Sequence, residues 1–153
     1  MTAMLRVPTQ EVTVKIEFIT SVAVITTDAT ASRALYMDAL GLPLKQLDRD
    51  YFASEEVAGC RHFGVWPLAQ AAEACFGTRT WPDDVAIPQV SVEFEVTDAT
   101  AVSEGAQELR SRGYDLLHDA KTEPWGQVLA RLLSPEGAVV GLSYAPSLHD
   151  TAG

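Results

Sequence analysis

The sequence predicts an α+β domain made of two tandem βαβββ modules, and an internal repeat is the main reason. Residues 21–31 align with residues 91–101 at a constant offset of 70, and the stretch Thr-Asp-Ala-Thr-Ala is identical in both copies. Each copy opens with alternating apolar residues, as a strand with one buried face does, and then reaches a helix start. A length of 153 residues suits one domain, residues 1–153.

The opening strands and the helices after them are predicted from spacing. The alternating residues expected to face the core are Val22 and Val24 in the first copy, and Val92, Phe94 and Val96 in the second. Asp28 and Asp98 follow these strands and are expected to cap the helices by accepting from backbone N–H groups of the first turn. The predicted apolar stripes, each followed by a terminating glycine, are Ala31, Leu35 and Ala39 before Gly41, and Val102, Ala106 and Leu109 before Gly113.

Three short strands are predicted after each helix. They cover residues 42–48, 51–55 and 61–66 in the first copy, and residues 114–120, 127–133 and 139–144 in the second. The turn sequence Ser-Pro-Glu-Gly at 134–137 predicts a hairpin between the last two. Module 1 therefore covers about 17–67 and module 2 about 89–146, with a connector at 68–88 that begins with a short alanine-rich helix. Residues 1–14 are predicted to form an arm, and those from Ser147 a polar tail.

Composition narrows the class of function. The formal charge of −10, with 11 scattered Lys and Arg residues, argues against nucleic-acid binding. The same charge would steer a cationic ligand favourably, although acidity that only keeps the chain in solution is the alternative. No apolar run has the roughly 20 residues of a membrane span, so we expect a cytoplasmic protein without a membrane partner. Cys60 and Cys75 are expected to be reduced thiols.

Three short sequences resemble motifs of a known superfamily. They are Leu-Tyr-Met-Asp-Ala-Leu-Gly-Leu at 35–42, Thr-Glu-Pro-Trp-Gly-Gln at 122–127 and Leu-Ser-Pro-Glu-Gly at 133–137. Together with the duplication they resemble the vicinal-oxygen-chelate superfamily, which contains glyoxalases, bleomycin-resistance proteins and dioxygenases, and within it the bleomycin-resistance-like branch. The resemblance implies that the strands of each module curl as mixed sheets around a ligand cavity, with the helices outside.

The resemblance also implies where a metal ion would bind, on the first and fourth strands of the modules, through His and Glu. The matching positions here are Ser21, Gly64, Ser91 and Gly141. Serine is a poor neutral ligand and glycine has no side chain, so we expect no metal and no other cofactor. His62 and Glu93 are the residues that would restore an unconventional site.

The other candidate residues are expected to face the same cavity. The predicted ligand-binding residues are Ser21, Phe52, His62, Gly64, Trp66, Ser91, Glu93, Trp125 and Gly141. Each has a structural alternative: His62 bonded within the barrel, Glu93 paired with an arginine, or the tryptophans in the core. Glu95 is expected nearer solvent, and no partner is predicted for His118 or His149.

Two classes of function remain open. The first is a metal-free protein that sequesters an aromatic or amphipathic ligand, a cationic one included, in a cavity bearing tryptophan. The alternative is a lyase, isomerase or dioxygenase-like enzyme that uses an unconventional metal site or acid–base chemistry by Glu93. A third and weaker hypothesis is an interaction module with a vestigial cavity. By analogy with the superfamily we also expect a homodimer, with residues 1–16 able to cross to the partner.

Overall fold

The computed structural model describes residues 14–149. The strands are β1 (Phe18–Thr26), β2 (Lys45–Asp48), β3 (Tyr51–Ser54), β4 (Phe63–Pro67), β5 (Val90–Glu95), β6 (Leu116–Thr122), β7 (Val128–Leu133) and β8 (Val139–Tyr144). The helices are α1 (Ala29–Arg33), which continues as a π-helical segment (Ala34–Ala39), α2 (Leu68–Phe76) and α3 (Ala99–Ser111), followed by a 3-10 turn (Pro146–Leu148). Both modules therefore have the predicted order βαβββ.

The eight strands form one open mixed sheet rather than two separate ones. Their order is β2-β3-β4-β1-β5-β8-β7-β6, with β1 parallel to β4 and β5 parallel to β8. The two modules meet where β1 and β5 pair antiparallel, with Val22 opposite Val92. These two valines are equivalent in the sequence repeat, so the pair marks an internal two-fold axis. The sheet confirms the predicted α+β class and places one half of the duplication on each side of this axis.

Of the residues predicted to face the core, Val96 directly after β5 is buried there, but the prediction is wrong for the valines at the centre of β1 and β5. Ser21 and Ser91 are buried on the concave face of the sheet, whereas Val22 and Val92 on the outer face are only half-buried. The reason is the placement of the helices, since α1 packs over β4 and α3 over β6, β7 and β8, to either side of the central pair. At the centre of the sheet the more buried face therefore carries the polar residues Ser21 and Ser91.

The predicted aspartate caps and the stripe of α3 are confirmed. Asp28 Oδ1 accepts a hydrogen bond of 3.0 Å from the amide of Ala31, and Asp98 Oδ1 accepts one of 2.8 Å from the amide of Ala101. The α3 stripe residues Val102, Ala106 and Leu109 pack into one core cluster with residues of β7 and β8. The repeated Thr-Asp-Ala-Thr-Ala sequence thus marks two strand-to-helix junctions of the same kind.

The first helix differs from its prediction. In the π-helical segment the amide of Leu40 donates to the carbonyl of Leu35, five residues earlier, at 2.9 Å. The wider turn means that residues four apart no longer share a face, and the predicted stripe residue Leu35 is 51% exposed. Tyr36 packs towards the sheet instead, with its ring 5.8 Å from that of Phe63. Gly41 ends the segment as predicted, with φ of 70°.

The connector contains the predicted helix, but α2 does not lie outside the sheet. Its buried residues Ala71 and Ala74 pack against Trp66 and Ala23, both on the concave face. The segment after it brings Trp81 against Cys75 in the core. Helix α2 therefore closes one end of the trough formed by the sheet, because β4 runs directly into it at Pro67.

The segment after β8 is ordered up to the last described residue. It forms the 3-10 turn, so the predicted polar tail is folded at least as far as His149. Most of the predicted arm, residues 1–13, lies outside the described residues. Cys60 and Cys75 are both free, as expected. No helix within 14–149 is long and apolar enough to cross a lipid bilayer. The expected homodimer stays a prediction.

Candidate functional site

A half-open cavity of about 510 Å³ lies on the concave face of the sheet, within the size range of small-molecule sites. Helix α2 bounds it at one end, where it contributes Gln70, and the turn at 146–148 bounds it at the other. Six of the nine predicted ligand-binding residues line it: Ser21, His62, Trp66, Ser91, Glu93 and Trp125. The cavity therefore collects candidates from both modules.

Phe52 does not lie with the other candidates. In β3 it alternates with Tyr51, and its register partner is Val65, which places it on the outer face. There the guanidinium of Arg33 from α1 stacks on its ring, with Cζ 4.7 Å from the ring centroid. Tyr51 takes the inward position instead and lines the cavity.

Gly64 and Gly141 lie on the concave face, but the space above them is filled. A Cβ added at Gly64 would lie 2.6 Å from the hydroxyl oxygen of Tyr51, and one at Gly141 would lie 3.2 Å from Glu93 Cγ and 3.2 Å from Leu129 Cδ2. Gly64 and Gly141, two of the predicted ligand-binding residues, therefore do not open space for a ligand. The missing side chains make room for neighbouring ones, not for solvent.

The residues at the implied metal positions do not fit a metal ion. Ser21 and Ser91 face the cavity, while the two glycine positions are covered by other side chains. Within residues 14–149 no group of three or more His, Cys, Asp or Glu side chains is arranged to hold a metal. His62 and Glu93 do not supply a substitute pair, because each is engaged in hydrogen bonds to other side chains.

Substituting Gly64 tests this close approach. The variant Gly64→Ala is expected to lower the free energy of unfolding by about 1–3 kcal/mol, because the new methyl group overlaps the Tyr51 ring. Urea denaturation followed by fluorescence measures the loss. The double variant with Tyr51→Ala is expected to lose less than the sum of the two single losses. Strictly additive losses would show that Tyr51 does not fill this space.

Glu93 is held by neutral donors and not by an arginine. Its Oε1 accepts from the hydroxyl of Ser21 at 3.1 Å and from Nε2 of Gln127 at 2.9 Å. The side chain is 9% exposed, and it lines the cavity. Gln127 also holds Trp125, whose indole N–H donates to Oε1 of Gln127 at 2.7 Å. The carboxylate is therefore positioned, and one hydrogen-bonded chain connects it to a tryptophan at the cavity mouth.

Tyr51, His62 and Glu55 form a second polar group on the opposite wall. The Tyr51 hydroxyl lies 2.6 Å from His62 Nε2, and His62 Nδ1 lies 3.5 Å from a carboxylate oxygen of Glu55. Burial, together with the negative charges of Glu93 and Glu55, raises the pKa of Tyr51 well above its usual value. The phenol therefore stays protonated at neutral pH and can donate a hydrogen bond.

The most deeply buried ion pair within residues 14–149 was not predicted from the sequence. Arg131 of β7 is 1% exposed, and its Nη1 donates to a carboxylate oxygen of Glu123 at 2.6 Å. Nη1 also lies 3.1 Å from His118 Nε2. Burial lowers the pKa of His118, so the neutral ring accepts from Arg131, while Nδ1 lies 2.7 Å from the carbonyl oxygen of Asp119. The available signal was an arginine inside the apolar run Val-Leu-Ala-Arg-Leu-Leu at 128–133.

Glu95 is fully buried, so the expectation that it lies nearer solvent is wrong. Its carboxylate accepts from the hydroxyls of Thr20 at 2.7 Å and Ser143 at 2.8 Å, and from the amide of Ala145 at 2.5 Å. His149, for which no partner was predicted, lies with Nε2 2.7 Å from the same carboxylate. Glu95 therefore fastens the chain after β8 to the end of the cavity.

The three tryptophans have different roles. Trp66 is 9% exposed and forms part of the cavity wall, while Trp125 at the mouth is 59% exposed. Trp81 lies in the core, where Phe76 packs edge-on with ring centroids 4.9 Å apart. Two indole rings are thus available to a ligand, one inside the cavity and one at its entrance.

Several solved structures have a fold similar to that of this chain. A glyoxalase/bleomycin resistance protein/dioxygenase superfamily member from Vibrio splendidus 12B01 superposes with a TM-score of 0.54 at 12% identity, over 86% of this chain and 100% of that one. A methylmalonyl-CoA epimerase from Streptomyces coelicolor, in complex with 2-nitronate-propionyl-CoA, gives 0.56 at 14% identity, over 87% and 97%. The Mn(II)-bound glyoxalase from Novosphingobium aromaticivorans gives 0.57 at 17% identity, over 84% and 39%.

No family model and no curated protein sequence matches the chain. Similarity at these identities defines the fold, so the chain has the vicinal-oxygen-chelate fold that its motifs and duplication predicted. Proteins with the same fold can have different functions, so the function has to be inferred from the residues on the concave face.

Proposed function

We propose that this protein binds a small, partly aromatic molecule in the concave cavity, without a metal ion. The observation that carries this proposal is the pairing of two accessible indole rings, Trp66 and Trp125, with a few fixed polar groups around one cavity. Small-molecule sites are typically apolar pockets in which a few placed polar groups set the orientation of the ligand. Glu93 and Tyr51 supply such groups on opposite walls, each already held by hydrogen bonds.

Neutral 2-naphthamide is a suitable first probe because it offers a planar ring and no charge. Titration calorimetry is expected to show one site per chain. The variant Trp125→Ala is expected to weaken binding about 2- to 12-fold, because this loss of affinity corresponds to the free energy that one aromatic contact usually contributes. Trp125 is more than half exposed, so its removal should leave the fold intact.

Two controls make this experiment decisive. Tyr114→Ala removes an equally exposed aromatic residue that does not line the cavity, and it should leave the affinity unchanged. Addition of a chelator should also have no effect. Equal losses in the two variants, or a site that disappears with the chelator, would contradict the proposal.

A metal-free acid–base enzyme is the second candidate, and one observation favours it. Glu93 and the Tyr51–His62 pair line the same cavity, and Tyr51 keeps its proton at neutral pH. In such an enzyme Glu93 would take a proton from the substrate and Tyr51 would donate to an oxygen that gains charge. Mass spectrometry of a ligand recovered after incubation in D₂O separates the candidates, because an isomer formed by proton removal and return gains deuterium. A binding protein returns it unchanged, whereas an enzyme returns an altered molecule unless Glu93→Gln is present.

A further inference from the structure

One edge of the buried Arg131 guanidinium has no partner in the described part of the chain. Nη1 is occupied by Glu123, His118 and the carbonyl of Ala74, at 2.6, 3.1 and 3.4 Å. Nε and Nη2 are buried and make no hydrogen bond to any residue within 14–149. Arg131 also lines the cavity. The pair with Glu123 therefore fixes the guanidinium and leaves two buried N–H donors unused on a residue that lines the cavity.

Two unused donors on a residue that is 1% exposed are unusual, since buried polar groups are nearly always hydrogen-bonded. The N–H bonds of Nε and Nη2 point in the same direction from the guanidinium, and this fork matches the two oxygens of a carboxylate. Gln70, on the same cavity, has a buried Oε1 that also lacks a partner within the described residues. The cavity wall near α2 thus has two N–H donors and one acceptor oxygen without partners, and these are candidates for hydrogen bonds to a ligand.

The strand register shows which residues lie beside Arg131 on the sheet. Glu93, Gly141 and Arg131 lie side by side on β5, β8 and β7. Gly141 has no side chain, and Cγ of Glu93 and Cδ2 of Leu129 occupy the space above it. Glu93 and Arg131 thus lie on the two strands that flank this filled position. Arg131 Cζ is also 5.7 Å from the ring centroid of Trp66. A negatively charged group at Arg131 would therefore have the Trp66 ring next to it. The like charges nearby would be Glu123, on Nη1 of the same guanidinium, and Glu93, across Gly141.

We infer that the ligand is an aromatic carboxylate whose two oxygens accept hydrogen bonds from Nε and Nη2 of Arg131. The inference rests on the proposed function and specifies its ligand class. It runs against the cationic ligand favoured by the net charge of −10. Net charge acts through solvent, where salt screens it over about 8 Å, whereas a bidentate contact to a buried guanidinium acts directly.

Three probes of the same shape and different charge test this inference. They are 2-naphthoate, neutral 2-naphthamide and 2-naphthylmethylammonium, titrated into the full chain by calorimetry. The carboxylate is expected to bind about 10- to 100-fold more tightly than the amide, because hydrogen bonds to charged groups are the stronger ones. The ammonium is expected to bind most weakly.

The variant Arg131→Lys keeps a cation for Glu123 but loses the fork. The preference for the carboxylate is expected to fall below about threefold in this variant, since one ammonium cannot reproduce the two parallel donors. Arg33→Lys is the matched control, because Arg33 stacks on Phe52 on the outer face. It should keep the full preference. The probe series on the unmodified chain needs no variant, so a folding defect in Arg131→Lys leaves the test intact.

The possible failures can be told apart. If the amide and the carboxylate bind equally, or the ammonium binds best, water satisfies Arg131 and the inference is wrong, while the proposed function stands. If Arg131→Lys keeps the preference, the carboxylate binds elsewhere and the inference is again wrong. If none of the three probes binds, the proposed function fails and the inference fails with it.

Discussion

The variant Glu123→Ala is expected to lower the free energy of unfolding by about 3–5 kcal/mol. Glu123 is 6% exposed and Arg131 is 1% exposed. Removing the carboxylate leaves a buried guanidinium without its counter-charge, and desolvation of that charge is then uncompensated. Urea denaturation followed by tryptophan fluorescence measures the loss.

A surface ion pair provides the control. Glu73→Ala removes a carboxylate that lies 3.0 Å from Arg49, with both side chains nearly half exposed. That change is expected to cost less than about 1 kcal/mol, because solvent screens exposed pairs. Similar losses in the two variants would show that Glu123 is solvated in solution. Replacing both members of the buried pair, as Glu123→Leu with Arg131→Met, should recover much of the loss.

The second large effect is expected at Glu95. The variant Glu95→Ala should lose about 3–5 kcal/mol, because several buried donors lose their acceptor and a cavity replaces the side chain. Four groups donate to this carboxylate or lie in hydrogen-bond contact with it, those of Thr20, Ser143, Ala145 and His149. Denaturation measures the global loss, and hydrogen exchange at the amide of Ala145 measures release of the segment after β8.

His149→Ala separates the two consequences. It removes a single, partly exposed partner of Glu95, so the expected loss is only about 1 kcal/mol. Exchange at Ala145 should stay slow in this variant, because the carboxylate still accepts from that amide. If Glu95→Ala were as stable as the unmodified chain, the buried network would not contribute to folding.

Local chemistry explains which parts of the fold were predictable. The caps at Asp28 and Asp98 depend on one side chain and the next few backbone amides, so both could be read from adjacent residues. The superfamily resemblance gave Gly64 and Gly141 as matching positions, and the register agrees, since each pairs with its module's first strand at equivalent positions. A duplicated sequence constrains its own topology in a way that a single copy does not.

The errors have a different physical origin, because they depend on which face of an element is covered. Phe52 and Tyr51 are adjacent aromatic residues, and only the pairing of Ala53 with Gly64 decides which of them points inwards. The placement of α2 on the concave face likewise depends on contacts between distant segments. In the sequence, Arg131 is a single charged residue in an apolar strand. Its role depends on its contact with Glu123 and on its position at the cavity, and only the folded chain shows these.

The internal two-fold axis at Val22 and Val92 has a consequence for recognition. Each half of the duplication supplies one wall of the cavity, and the two walls have diverged. The first half presents the phenol and imidazole of Tyr51 and His62 with the carboxylate of Glu55. The second half presents a carboxylate and a guanidinium, those of Glu93 and Arg131. The two walls of this symmetric fold thus differ chemically. A ligand whose two ends differ is therefore expected to bind in one preferred orientation.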